Sequence, residues 1–179
     1  MLKTIALVIG ALIAAVLIFA ATRPDSFRVE RKATIQAPPE KIYSLINDFK
    51  LWPQWSPWEK LDLGMKRTLS GSDSGVGAIY AWEGNKEVGA GRMEILSAQP
   101  AAKIVIKLDF IRPFEGHNTT EYTLAAKGDA TDITWAMFGP SPYLSKLMGL
   151  FMSMDKMIGV QFEKGLADLK SVVEVVGKN

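Results

Sequence analysis

Residues 29–58 read VERKATIQAPPEKIYSLINDFKLWPQWSPW. The stretch changes its pattern twice. Arg31, Ala33 and Ile35 alternate with Lys32, Thr34 and Gln36, which is the period of an extended segment with one face turned inward. Pro38 and Pro39 end that segment, because proline cannot donate to a strand ladder but suits a first helical turn. Ile42, Leu45, Ile46 and Phe49 then recur at steps of three and four, the spacing of one helix face. Trp52, Trp55 and Trp58 follow, each close to a proline or a serine. The reading is a strand from about Phe27 to Gln36, a helix from about Pro39 to Asn47, and a short aromatic helix or turn from about Phe49 to Trp55.

Downstream, segments with a period of two recur between Lys66 and Gly139. Strands are expected near Lys66–Ser70, Ala78–Glu83, Glu87–Leu96, Lys103–Ile111, Gly116–Ala125 and Thr131–Gly139. Gly84-Asn85 and Lys127-Gly128-Asp129 supply turns. The loop SGSDSGVG (residues 70–77) has spaced glycines but no Gly-Lys-Ser/Thr leading into a helix, so a hairpin loop is favoured over a phosphate cradle. Gly89 and Gly91 share a strand face with Met93 and Ile95, which implies a sharp bend or the close approach of another element. Short connections make the sheet antiparallel. After Pro142 the period changes to helical. Leu147, Phe151, Met154, Ile158, Phe162, Leu166, Leu169 and Val173 form one stripe, predicting a single long helix from Pro142 to Val176 that lies on the sheet.

This order of strand, helix pair, six strands and long helix resembles the START-like superfamily, also called SRPBCC, polyketide cyclase/dehydrase-like or Bet v 1-like. The resemblance covers about Phe27 to Val176 and lies in order and pattern rather than in an invariant motif. It implies an α+β helix-grip fold, a curved antiparallel sheet wrapped around a long C-terminal helix, with a cavity for an apolar ligand between them. Catalytic members of the superfamily share no obligatory motif, so no catalytic residue is carried over.

Upstream, residues 5–21 carry no charged or strongly polar side chain. At about 1.5 Å per residue the run approaches the thickness of a bilayer's hydrocarbon core. Residues 1–22 are therefore read as a transmembrane anchor, residues 23–26 as a linker and residues 27–179 as the globular domain. A cleaved signal peptide is the rival reading, given Lys3 and the small residues Ala20-Ala21-Thr22, though Phe19 makes a poor cleavage site. A buried soluble helix is the third. Arg23, Arg28, Arg31 and Lys32 favour a cytoplasmic domain by charge asymmetry, yet Arg28, Arg31 and Lys32 also fall on the first strand, so the side of the membrane is left open.

Composition removes several function classes. The 179 residues hold 21 basic and 19 acidic side chains, a formal charge of +2, which gives no basic face for nucleic acid. There is no cysteine, so disulfides, thiolate metal sites and cysteine nucleophiles are excluded. His117 is the lone histidine, and its strand parity turns it outward, opposite Tyr122. Neither a two-histidine metal site nor a Ser-His-Asp triad can be built from it. No cofactor motif is present. By the same parity Arg92, Glu94, Asp109 and Glu121 face outward.

Alternation also nominates a cavity lining. Leu108, Phe110, Asn118, Thr120, Tyr122, Trp135 and Met137 fall on the inward strand face, Phe151, Met154 and Ile158 on the helix stripe, and Trp55, Trp58 and Trp82 at the expected mouth. A mostly apolar lining with a few polar groups suits a small-molecule pocket, although each residue alone serves core packing equally well. Three functions fit. The first is a membrane-tethered module that binds a small hydrophobic, lipid-like or aromatic molecule. The second is a cyclase- or dehydrase-like enzyme on a hydrophobic substrate. The third is a regulatory partner of another membrane protein. No acid–base pair supports the second. The oligomeric state is not readable from the sequence.

Overall fold

The chain enters through helix α1 (Leu2–Ala21), twenty residues that are apolar apart from Lys3 and Thr4, with a mean hydropathy of 2.8 over an 18-residue window. Only Ala20 of this helix is buried. The computed structural model describes residues 1–175. A four-residue linker leads into strand β1 (Ser26–Ile35). Pro38 then takes the extended conformation that must precede a proline, and Pro39 opens helix α2 (Pro39–Asn47), as a proline in a first turn can without losing a hydrogen bond. Ile42 and Ile46, four residues apart, are the buried face of α2. Two 3-10 turns follow, Phe49–Gln54 and Pro57–Lys60. The second was not expected from the sequence.

Strands β2 (Lys66–Gly71), β3 (Ala78–Glu83), β4 (Ala90–Gln99), β5 (Lys103–Arg112), β6 (Gly116–Lys127) and β7 (Ala130–Pro140) form an antiparallel meander. Strand β1 closes the order β1-β7-β6-β5-β4-β3-β2 by pairing with β7, Ser26 opposite Pro140. Register shifts at Ala90/Gly91 and Ile95/Ser97 bend the β4–β5 ladder, because the unpaired residue in a bulge increases the local twist. The result is the expected α+β helix-grip architecture, a curved antiparallel sheet around a C-terminal helix.

Two expectations change. Strand β4 begins at Ala90 rather than Glu87, because Asn85 Oδ1 accepts from the backbone amides of Glu87 and Val88 and folds that segment into a turn. Gly89 ends the turn at φ +63°, where an added Cβ would meet the Arg112 carbonyl. The long helix is also two helices, α3 (Tyr143–Met148) and α4 (Met154–Val175), separated by residues 149–153. Ser153 Oγ accepts from the Lys156 amide at 3.3 Å and starts α4 afresh, as a serine at a helix N-terminus commonly does. The expected end at Val176 lies outside the described residues. Phe162, Leu166, Leu169 and Val173 bury the stripe of α4 on the concave sheet face. Arg31 of β1 clamps the helix from the side, donating to Asp155 at 2.8 and 3.0 Å and to Glu163 at 2.5 Å.

Candidate functional site

The Trp-Pro-Gln-Trp-Ser-Pro-Trp run sits where α2 ends, and its indoles do the capping. The last carbonyls of a helix have no partner within it. Trp52 Nε1 donates to the Ile46 carbonyl at 3.0 Å and Trp55 Nε1 to the Leu45 carbonyl at 3.1 Å. Each indole thereby satisfies its own N–H and turns its ring into the space between sheet and α4. There both rings meet Tyr122 of β6, Trp55 also meets Trp135 of β7, and Phe162 of α4 packs on Trp58 and Trp135. Trp135 stacks on Phe162 with centroids 4.1 Å apart and planes 10° apart. Tyr122 lies 4.9 Å, Trp58 5.6 Å and Trp55 5.8 Å from the same indole. Such tilted and edge-on pairs add stabilisation beyond their buried area. Gly165 makes the close approach of α4 possible, since a Cβ there would lie 2.7 Å from Trp135.

The structure brings together most of the nominated residues. Trp55, Tyr122, Trp135, Met137, Thr120 and Leu108 are buried, and Trp58, Trp82, Phe110, Asn118 and Ile158 are half-buried. Trp82 and Phe110 pair edge-to-face at 5.9 Å toward the β3–β5 side. Gly91 lies directly under the Trp82 ring, the close approach its position implied. Phe151 and Met154 are not part of this group. They are 78% and 41% exposed, because the break after α3 turns them away from the sheet. Aromatic rings pack on one another between the sheet and α4, where a cavity is expected. One open concavity of about 350 Å³ takes in the nominated Trp82 with Gly91 and Arg112, and another of about 480 Å³ lies beside Phe27, Arg28 and Phe138. Neither is lined by α4.

The polar stripe on β6 divides. Thr120 Oγ1 donates to the Ala136 carbonyl and accepts from Trp135 Nε1, both at 3.0 Å, so its hydroxyl is used within the sheet. Tyr122 is 1% exposed and its hydroxyl has no partner. Burial pushes that phenol well above its ordinary pKa, so it stays protonated and can donate.

One buried charged residue escaped the sequence reading. Glu59, in the second 3-10 turn, is 4% exposed. Its Oε1 accepts from Tyr80 Oη and its Oε2 from Arg67 Nε, both at 2.5 Å. Burial, and then the bond to Glu59, push the Tyr80 phenol far up. The inward parity of Tyr80 is visible in the sequence, but nothing there ties it to a glutamate 21 residues earlier. On the convex face, His117 lies exposed against Asp109 at 2.8 Å, and that bond raises its pKa. Arg92–Glu94 and Lys103–Glu121 are further ion pairs on that face.

A seven-stranded antiparallel sheet curved over a C-terminal helix, with an aromatic interior, defines the helix-grip class. Residues 26–174 match the family described as polyketide cyclase/dehydrase and lipid transport, and the chain belongs to that family. No curated protein matches the chain. Solved structures share the fold at low identity. The ginseng major latex-like protein 151 from Panax ginseng has a TM-score of 0.61 at 12% identity, over 84% of this chain and 99% of that one. The Aha1 dimer from Colwellia psychrerythraea has 0.59 at 16%, over 86% and 99%. The di-domain aromatase/cyclase StfQ of the steffimycin biosynthetic pathway has 0.65 at 11%, over 86% of this chain and 52% of that one.

Proposed function

We propose that this chain binds a small hydrophobic molecule, lipid-like or aromatic, between the sheet and α4, and that α1 holds the domain at a bilayer. The observation that carries the reading is Tyr122. A buried hydroxyl without a partner costs about 1–3 kcal/mol, and here it sits among Trp52, Trp55 and Trp135. An apolar body stacked on the indoles, with one polar acceptor for Tyr122, meets both needs. The lining is mostly apolar with a single orienting group, the usual composition of a ligand site. Because the rings occupy the space themselves, entry requires Phe162 and α4 to shift from Trp135. The apolar anchor keeps the site beside a source of such molecules and raises their local concentration.

The regulatory-partner reading is favoured by a different observation, the closed aromatic interior together with apolar side chains exposed on α3 and α4. The enzyme reading needs a free titratable group in the interior. Glu59 is the buried carboxylate nearest it, and both its oxygens are engaged by Tyr80 and Arg67. Native mass spectrometry of the full-length chain, released gently from its own membranes, tests the proposal. A bound small molecule, lost in Trp135→Ala and retained in His117→Ala, supports it. A chain that carries nothing and takes up neither lipid nor aromatic probe turns the reading to the regulatory partner.

A further inference from the structure

Between Ser26 and Val175, fifteen large apolar side chains are exposed, and eight of them fall in residues 143–160. The other seven are scattered over the rest of the domain. Scattered apolar exposure is ordinary, whereas a concentrated patch marks a surface that meets something. The fold also fixes where this patch is. Tyr143 Oη donates to the Leu17 carbonyl at 2.9 Å, so α3 lies along the last turns of α1. The Ser141 amide donates to the Asp25 carbonyl at 2.7 Å, and Lys146 Nζ reaches the Asp25 carboxylate at 2.5 Å. These bonds pin residues 141–146 to the end of the sheet from which α1 departs.

Helix α1 has twenty residues, about 30 Å at 1.5 Å per residue, which is the length of a bilayer's hydrocarbon core. Leu17 is then about one turn inside the boundary between acyl chains and headgroups. We infer that α3 and the start of α4 form a second membrane contact, in which Tyr143, Leu144, Phe151, Met152 and Met157 enter that boundary beside α1. The occupant is a lipid surface, because the patch is continuous with an apolar helix of spanning length. Arg23 and Lys156 flank it, and neither has an acidic partner among the described residues, which suits phosphate headgroups. An apolar face with basic neighbours is the usual make-up of a segment lying in the interface. The break at residues 149–153 serves such a contact, since it leaves Phe151 and Met152 exposed rather than packed on the sheet. The inference rests on the reading of α1 as a span.

The chain has no cysteine, so single-cysteine variants can be labelled cleanly. The full chain is reconstituted in vesicles of phosphatidylcholine with a minority of phosphatidylglycerol. It carries a nitrobenzoxadiazole probe at Leu12→Cys, Leu69→Cys, Phe151→Cys or Met157→Cys. Lipids bearing a nitroxide near the headgroup or at mid-chain act as quenchers. The expected result is deep quenching at position 12, blue-shifted emission with shallow quenching at 151 and 157, and neither effect at 69. Probes at 151 and 157 that stay open to aqueous iodide, while position 12 is quenched, overturn the inference and leave the anchor standing. Probes shielded from iodide but untouched by nitroxide lipids overturn it in favour of a protein cover. An unquenched position 12 removes the anchor, and the inference with it.

Discussion

The interior and the α3–α4 junction are built from similar residues but differ in what covers them. Trp55, Tyr122, Trp135 and Phe162 are each at most 2% exposed, while Phe151, Met152 and Met157 are 78%, 48% and 52% exposed. Both sets belong to apolar patterns that a sequence reader assigns to a core. In the interior, ring packs on ring, and the N–H groups of Trp52 and Trp55 end on carbonyls while that of Trp135 ends on Thr120. At the junction the domain supplies no covering surface. Apolar periodicity therefore reports that a face seeks cover and is silent on whether protein or lipid provides it.

The largest test of this contrast is Trp135→Ala. The indole touches Tyr122, Trp55, Trp58 and Phe162, and its removal leaves a cavity and frees the Thr120 hydroxyl from its donor. The expected loss is about 3–5 kcal/mol, measured by urea unfolding of the full chain in mild detergent. A loss below about 1 kcal/mol would mean that α4 closes over the gap, and that the aromatic fill is less specific than its geometry implies.

Glu59→Gln comes next. The amide still accepts from Tyr80 Oη but loses the charge that holds Arg67 Nε. Hydrogen bonds to charged groups contribute about 1.5–3 kcal/mol, and the partial exposure of Arg67 places the expected cost at the lower end, because the guanidinium can return to water. A cost equal to that of Trp135→Ala would make the Glu59 clasp a principal support of the interior.

Tyr122→Phe separates ligand from structure. Removing a hydroxyl that has no partner should leave the empty protein unchanged or about 1 kcal/mol more stable, while weakening uptake of a ligand that accepts from it. A variant that is destabilised and binds as before would assign the hydroxyl to the core alone.

How far the sequence could be read depends on where its signals act. Pro38-Pro39 and the glycines around residues 71–77 punctuate the chain locally, and α2 and β3 are placed with the bounds expected of them. Inward parity also identified Leu108, Thr120, Tyr122, Trp135 and Met137 as facing the interior, because alternation and burial on a one-sided sheet are the same fact. The break at residues 149–153 was not legible, since Leu147, Phe151 and Met154 continue the helical step that the structure interrupts. Glu59 was hidden for the opposite reason. Its burial depends on Tyr80 and Arg67, which no local spacing connects to it. How closely the rings pack on one another was also beyond pattern, because alternation gives direction and not volume.

The smallest expected effect bears most directly on the contrast. Phe151→Ser combined with Met157→Ser replaces two exposed apolar side chains that are not part of the buried core cluster. Substitutions at such positions change stability by no more than about 0.5 kcal/mol each, so urea unfolding in detergent should hardly move. The same variant in vesicles should become easier to cleave near residues 149–153, since apolar cover from the bilayer is what it loses. If it is destabilised in detergent as strongly as Glu59→Gln, the junction is a protein core after all, and the distinction between the two regions collapses.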